Sequence, residues 1–157
     1  MPVNNEDFRG ALSRFASGVT VVTSKCRDGQ KRGLTVSAFS SVSLDPPLIL
    51  VCIERQTTIH DYLAVGCFFA VHILNEEQES LSRRFASKEP NRFAGIAYKE
   101  SIEGTPLLED VLACMECRIV AVQEGGDHTI FIGEVESTVI RDGKPLLYYR
   151  GGYGNLA

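Results

Sequence analysis

Between Asn4 and Gly18, Phe8, Ala11, Leu12 and Phe15 recur at spacings of three and four, the period that gathers apolar side chains on one helical face. Glu6 and Asp7 sit where a helix N-terminus favours acidic charge, and Gly18 supplies a stop. From Val19 to Ser24 the residues turn β-branched, Asp28-Gly29 offers a hairpin turn, and Gly33 to Phe39 resumes an extended pattern, so two paired strands are predicted. Leu48 to Ile53 is continuously apolar, the mark of a strand covered on both faces. Thr57 or Thr58 is placed to cap a short helix through Leu63, and Cys67 to Leu74 reads as a further strand. Asn75 is placed to cap a second helix in which Leu81 and Phe85 repeat at i, i+4. The stretch Ser87 to Gly104 is polar and irregular, with Pro90 marking a loop suited to covering a ligand. Two long extended runs follow, Leu112 to Gln123 and Thr129 to Ile140, joined by Gly125-Gly126-Asp127; Asp142-Gly143 then turns the chain into a last strand, Leu146 to Arg150.

The order of these elements never repeats strand, helix, strand, which disfavours a parallel doubly wound sheet. About seven strands and two or three short helices instead predict a mainly β (α+β) fold, an antiparallel barrel with peripheral helices. At 157 residues the chain is expected to form a single domain, 1–157, with no internal repeat. Its apolar runs, such as Pro46 to Ile53, fall far short of the ~20 residues a membrane helix needs, and the start through Phe8 has no basic-then-apolar signal pattern. A soluble, cytoplasmic protein is expected, with no membrane partner. Net charge changes the picture in one respect: at −4 there is no global positive field to collect nucleic acid, so any anionic ligand must be held locally. Five cysteines, an odd number in apolar or strand-like surroundings, suit reduced thiols better than a disulfide framework.

Several constellations are tested and set aside. Cys114-Met115-Glu116-Cys117 spells C-x-x-C, but on a strand positions three apart face opposite ways, so the thiols cannot share a metal; no metal site is expected. Cys26, Cys52 and Cys67 read as small hydrophobes. His60 reads as a surface or capping residue and His72, between Val71 and Ile73, as a satisfied interior side chain. His128 differs, because it follows a tight turn at a sheet end where a side chain can reach a ligand. Arg150-Gly151-Gly152-Tyr153-Gly154 is glycine-rich without a following helix, which excludes a dinucleotide fingerprint or P-loop and leaves a flexible tail as the plain reading. The most informative stretches are Gly33 to Pro47 and Cys52 to Thr58. Alternating hydroxyls and small residues let a flat polar heterocycle approach the backbone, and paired threonines add donors for a phosphate. An ordinary serine-rich edge strand followed by a capped helix is the alternative at this point.

The same residues carry a resemblance. Phe15-Ala16-Ser17-Gly18-Val19-Thr20-Val21-Val22-Thr23, the run from Gly33 to Pro47, Phe85-Ala86, Gly126-Asp127-His128 with Gly133-Glu134-Val135, and Pro145-Leu146-Leu147-Tyr148-Tyr149, in that order along nearly the whole chain, resemble the short-chain flavin reductases. These are the reductase components of two-component flavin monooxygenases and share an FMN-binding split β-barrel. The resemblance implies a homodimer that uses NADH or NADPH to reduce FMN or FAD and passes the reduced flavin to a partner oxygenase. It implies that Thr35, Val36, Ser37, Ala38 and Phe39 line the isoalloxazine with Ser41 and Val42 beside them. Cys52, Ile53, Gln56, Thr57 and Thr58 would hold the ribityl chain and phosphate, and Phe85, Ala86, Ser87 and Lys88 would close the site. His128 matches the family's Gly-Asp-His histidine beside the nicotinamide, and is the one candidate catalytic residue; Gly152 and Tyr153 match the tail that helps bind the dinucleotide. Some relatives carry Asn where this chain has Ser37, and Arg55 and Gln56 also vary in type.

Such a chain would use a nicotinamide without a Rossmann unit, since the cofactor supplies the reactivity and the fold supplies orientation. Backbone N–H groups of the Thr35 to Phe39 strand would add stabilisation of negative charge on the flavin edge. Two other readings remain at this level: a non-catalytic flavin or haem carrier on the same fold, and a structural barrel whose serine-rich strand pairs with a protein edge.

Overall fold

A computed structural model describes residues 2–25 and 27–157. Two α-helices and twelve strands are found among them, and most strand pairs are antiparallel neighbours of one large sheet. The elements that build this sheet are β2 (Thr20–Lys25), β3 (Lys31–Val36), β4 (Phe39–Ser43), β5 (Leu48–Glu54), β6 (Phe68–Ile73), β9 (Ala113–Gly125) and β10 (His128–Ile140). Their order is β3-β2-β6-β9-β10-β5-β4. Strands β3 and β4 are thus at opposite edges, yet only Ser37 and Ala38 separate them in the chain. A two-residue link cannot span a flat seven-stranded sheet at about 4.8 Å per strand, so the sheet must roll until its edges meet. Ala38 extends the β4–β5 ladder by one position, its carbonyl accepting from the Cys52 N–H at 3.0 Å. The fold is a mostly antiparallel split barrel, as the element order predicts.

Inside the barrel Val22, Val51, Ile53, Phe69, Val71, Ile119 and Phe131 form one core. A second core lies on the outer face of β2 and β6, where Val21, Ala70, Leu74, Phe85, Val111, Cys114 and Leu146 meet. Double coverage therefore falls on β2 and β6, both buried nearly throughout, and not on Leu48–Ile53. In β5 burial alternates: Ile49, Val51 and Ile53 point inward while Leu48, Leu50 and Cys52 stay half-buried. An all-apolar strand with one half-exposed face signals an outer surface that carries apolar groups.

Several boundaries shift for physical reasons. Helix α1 is shorter than its apolar repeat (Asn5–Leu12), capped by the Asn4 side-chain Oδ1 accepting from the Asp7 N–H at 2.8 Å, and Phe8, Leu12 and Phe15 are exposed. Gly33 to Phe39 is broken at the seam. The 3₁₀ turn His60–Tyr62 has no side-chain cap; the Thr57 hydroxyl instead donates to the Glu54 carbonyl at 2.8 Å and closes the preceding turn. Asn75 likewise does not cap α2 (Glu79–Ala86): its side chain accepts from Glu77 N–H in an Asx turn, and Gln78 occupies the cap position. Within Ser87–Gly104 lies a short strand, β7 (Tyr98–Glu100), paired with β8 (Pro106–Leu108). The glycine-rich tail is not loose: β12 (Gly152–Asn155) pairs with β11 (Leu146–Tyr149), which pairs with β1 (Ser17–Gly18). Cys114 joins the outer core and Cys117 the inner one, so the C-x-x-C thiols face opposite ways, and burial pushes their thiols up to about 11 and about 12. Cys52 and Cys67 are half-buried and Cys26 lies outside the described residues.

Candidate functional site

Helix α2 packs on β3 and β2, and two clefts flank this junction. Gly33 allows the close approach: a Cβ there would lie 2.5 Å from the Phe85 ring, which fills the outer core. Five hydrogen bonds fasten the helix and the loop that follows it. Thr35 Oγ1 donates to the Ser82 carbonyl at 2.6 Å, the buried Ser82 hydroxyl pairs with the Tyr153 hydroxyl at 2.8 Å, and Arg92 bonds the carbonyls of Gly33, Phe85 and Ser87 at 2.8, 3.0 and 2.5 Å. The loop after α2 is therefore pinned down at Arg92, and burial lowers that guanidinium's pKa.

The smaller cleft, about 210 Å³, is lined by Gly18, Thr35, Val36, Ser37, Ala86 and Tyr153 among others. Its walls are small residues and hydroxyls, with Tyr148 and Tyr153 edge to face at 5.2 Å on one side. The larger cleft, about 640 Å³, contains Thr57, Thr58 and Lys88 and is lined by four cationic side chains, Lys31, Arg32, Lys88 and Arg92, against two carboxylates, Asp61 and Glu89. Along β3 the two clefts are only two residues apart, Gly33 on the larger and Thr35 on the smaller. The chain thus juxtaposes a narrow, small-walled slot and a broad cationic trough. A molecule with a flat ring at one end and a phosphate at the other matches this donor set.

The remaining sequence candidates lie around the clefts rather than in their walls. Ala38 and Cys52 are joined at the end of the β4–β5 ladder, Phe39 packs on the inner core, and Ser41 and Val42 are exposed on β4. The side chains of Ile53 and Phe85 are wholly buried, so only backbone from these positions can meet a ligand. Ser87 ends α2 by donating to the Arg84 carbonyl at 2.7 Å, Gly152 pairs with Tyr149, and Gln56 is exposed in the turn after β5. Burial raises the Cys52 thiol's pKa.

His128 opens β10 opposite Glu54, and the Arg55 N–H donates to the Asp127 carbonyl at 3.0 Å, which ties its turn to the turn that carries Gln56, Thr57 and Thr58. Gly126 at φ +71° makes that turn possible. Nδ1–H of His128 donates to the Asp127 carboxylate at 2.7 Å, which directs Nε2 elsewhere, and this bond lowers the Asp127 pKa. His60 is not a simple surface group: Nδ1 bonds Asp61 at 2.8 Å and Nε2 bonds Thr129 Oγ1 at 2.7 Å. His72 is a satisfied interior residue, with Nδ1–H donating to the Val21 carbonyl at 2.9 Å and Nε2 accepting from Leu108 N–H at 3.0 Å. Sequence reasoning missed Ser82, Tyr148, Arg32, Tyr62 and Arg92. Only the polar loop after α2 hinted at Arg92; the others gain their place through contacts between distant segments.

A barrel whose seam strand borders two adjoining clefts defines a class of small split-barrel proteins suited to a ligand with a flat ring and a phosphate. Residues 12–157 match the flavin reductase like domain. A flavin reductase of Pseudomonas putida is 40% identical over 151 residues, covering 96% of this chain and 89% of that one. The reductase component of a 4-nitrophenol 4-monooxygenase/4-nitrocatechol 2-monooxygenase from Rhodococcus opacus is 39% identical over 155 residues, covering 99% and 83%. Among solved structures, an NADH:FAD oxidoreductase of Streptomyces globisporus in complex with NAD and FAD fragments is 36% identical with a TM-score of 0.91, covering 100% of this chain and 97% of that one. The chain belongs to the flavin reductase family.

Proposed function

We propose that this chain is an NAD(P)H:flavin oxidoreductase that reduces FMN or FAD and supplies the reduced flavin to an oxygenase component. The observation that carries the reading is the adjacency of the small-walled slot and the cationic trough along one strand, β3, in a chain that matches the flavin reductase domain from residue 12 to 157. A bound flavin supplies the chemistry, accepting a hydride equivalent from the nicotinamide and carrying it away. The protein's task is to bind and orient.

Each group then has a bounded part. Thr58 and Lys88, exposed in the trough, hold the phosphate, while the hydroxyls of Thr35 and Thr57 are already spent on Ser82 and Glu54 and shape the walls. Val36, Ser37, Ala38 and Ala86 bound the ring site, with Phe39, Ser41 and Val42 beside the seam and Cys52, Ile53 and Gln56 behind it. Gly152 and Tyr153 form a wall for the nicotinamide, and Nε2 of His128 is a hydrogen-bond partner for its carboxamide. A carrier would have no use for that turn and tail.

We also assign a homodimer and a single 1–157 domain. The outward face of β5, β9 and β10 carries Leu48, Leu50, Cys52, Ala121, Ile130 and Ile132, all half-exposed in one chain, and a second copy would cover them. Among the described residues no helix is long and apolar enough to cross a membrane; we assign the reaction to the cytoplasm, where the NAD(P)H pool is drawn upon. The reading is tested by mixing the purified chain anaerobically with FMN or FAD and then NADH or NADPH. Bleaching of the flavin absorbance is expected, and persistent colour with every pair would refute it.

A further inference from the structure

The trough is larger than one phosphate requires. At about 640 Å³ it lies within the roughly 300–1,000 Å³ of sites that enclose whole small molecules. Thr58 and Lys88 account for one part of its wall. Another part is a rigid stack: the Arg32 guanidinium carbon lies 3.8 Å from the centroid of the Tyr62 ring, and both side chains line the trough. Asp28 holds the same guanidinium with two bonds, Nη1 to Oδ1 at 2.8 Å and Nη2 to Oδ2 at 2.9 Å, and the Arg32 side chain is only 19% exposed. Such an arginine is fixed in plane and partly neutralised, which makes it a poor phosphate clamp and a good flat platform. Guanidinium planes and aromatic rings both stack on heterocycles, and a platform already fixed loses little entropy on binding.

We infer that the Arg32–Tyr62 stack is an adenine seat, making the part of this trough beside it a subsite for the adenosine phosphate half of a dinucleotide. The inference rests on the flavin reductase reading and extends it from the flavin's own phosphate to what lies beyond. Lys31 and Arg92 supply the remaining positive field: Lys31 pairs with Glu100 at the rim, and Arg92 is anchored to three carbonyls. Adenosine phosphate chemistry occurs in FAD and in the nicotinamide dinucleotide. The short span along β3 from ring slot to trough favours FAD as its source, because one molecule then fills both clefts.

The test compares equilibrium binding of FMN, FAD and AMP, by flavin fluorescence and calorimetry, in the wild-type chain and in Arg32→Ala, Arg32→Lys and Tyr62→Leu. The wild type is expected to bind FAD more tightly than FMN, with AMP competing against FAD. Each variant should weaken FAD and AMP by roughly 5- to 100-fold, the range of one base-stacking contact, and leave FMN within about two-fold. Retained FMN affinity shows that the variant is folded. Unchanged flavin binding with weakened AMP binding and a raised NADH KM would support the subsite and assign it to the nicotinamide dinucleotide. Equal loss for FMN and FAD, or no loss for any ligand, overturns it. If the wild type binds neither flavin, the flavin reductase reading fails, and AMP affinity in wild type against Arg32→Ala still decides the subsite.

Discussion

Two histidines on the same barrel show how burial decides which imidazole is left open to a ligand. His72 is enclosed between β2 and β8, both nitrogens satisfied in the neutral Nδ1–H form, and burial lowers its pKa from 6.5 to about 4. The unfolded chain takes up a proton below about pH 6.5 that the folded chain refuses until about pH 4, so stability is lost as pH falls through that window and levels off beneath it. The difference corresponds to about 3 kcal/mol. Denaturation midpoints are expected to drop between pH 7 and pH 4.5, and His72→Gln should be less stable at pH 7 yet flatter over the window; equal slopes would show that other groups dominate. His128, by contrast, is 40% exposed with Nε2 uncommitted. His128→Ala is expected to raise the NADH KM or lower kcat while flavin affinity stays unchanged; steady-state kinetics like those of the wild type would remove it from the site. Its sequence context, a glycine turn at a sheet end, is what singled it out as a candidate. His72 was legible for the opposite reason, since Val71 and Ile73 flank it.

At the scale of elements, α2 is the piece that makes the clefts. Leu81 and Phe85 announced its buried face, but its fastening depends on partners 47 and 71 residues away, Thr35 and Tyr153. No local pattern encodes such contacts, and the glycine-rich tail consequently read as flexible. Tyr153→Phe removes one partner of the buried Ser82 hydroxyl and is expected to cost about 1 kcal/mol of stability. It should also change the KM for NADH more than that for flavin, measured at saturating levels of the other substrate. The paired threonines carry a second lesson. As side chains of one turn they look equivalent, but the Thr57 hydroxyl closes that turn, and Thr58 is left for a ligand. Replacing Thr58 and Lys88 together by Ala and Met is expected to weaken FMN at least several-fold more than riboflavin, since only FMN offers a phosphate. Comparable loss of both would contradict the phosphate assignment.

On the scale of the whole molecule, rolling the sheet brings two consecutive strands to opposite edges and then back together, and the ligand clefts arise beside that seam. The same curvature leaves a patch of apolar residues outside, which is why β5 looks doubly covered in the sequence but alternates in one chain. Ile132→Asp places a charge in that patch and is expected to break the proposed dimer into monomers by light scattering; an unaltered mass would move the interface elsewhere. Hydrophobic period, turn residues and β-branched runs are short-range properties, and they determined by themselves the antiparallel class and most strands, while the Gly33 to Thr58 stretch became a site candidate through its family resemblance. Tertiary structure alone decided which hydroxyls are free, which arginine is stacked and which strand is covered twice, because those depend on groups that meet only once the sheet has closed.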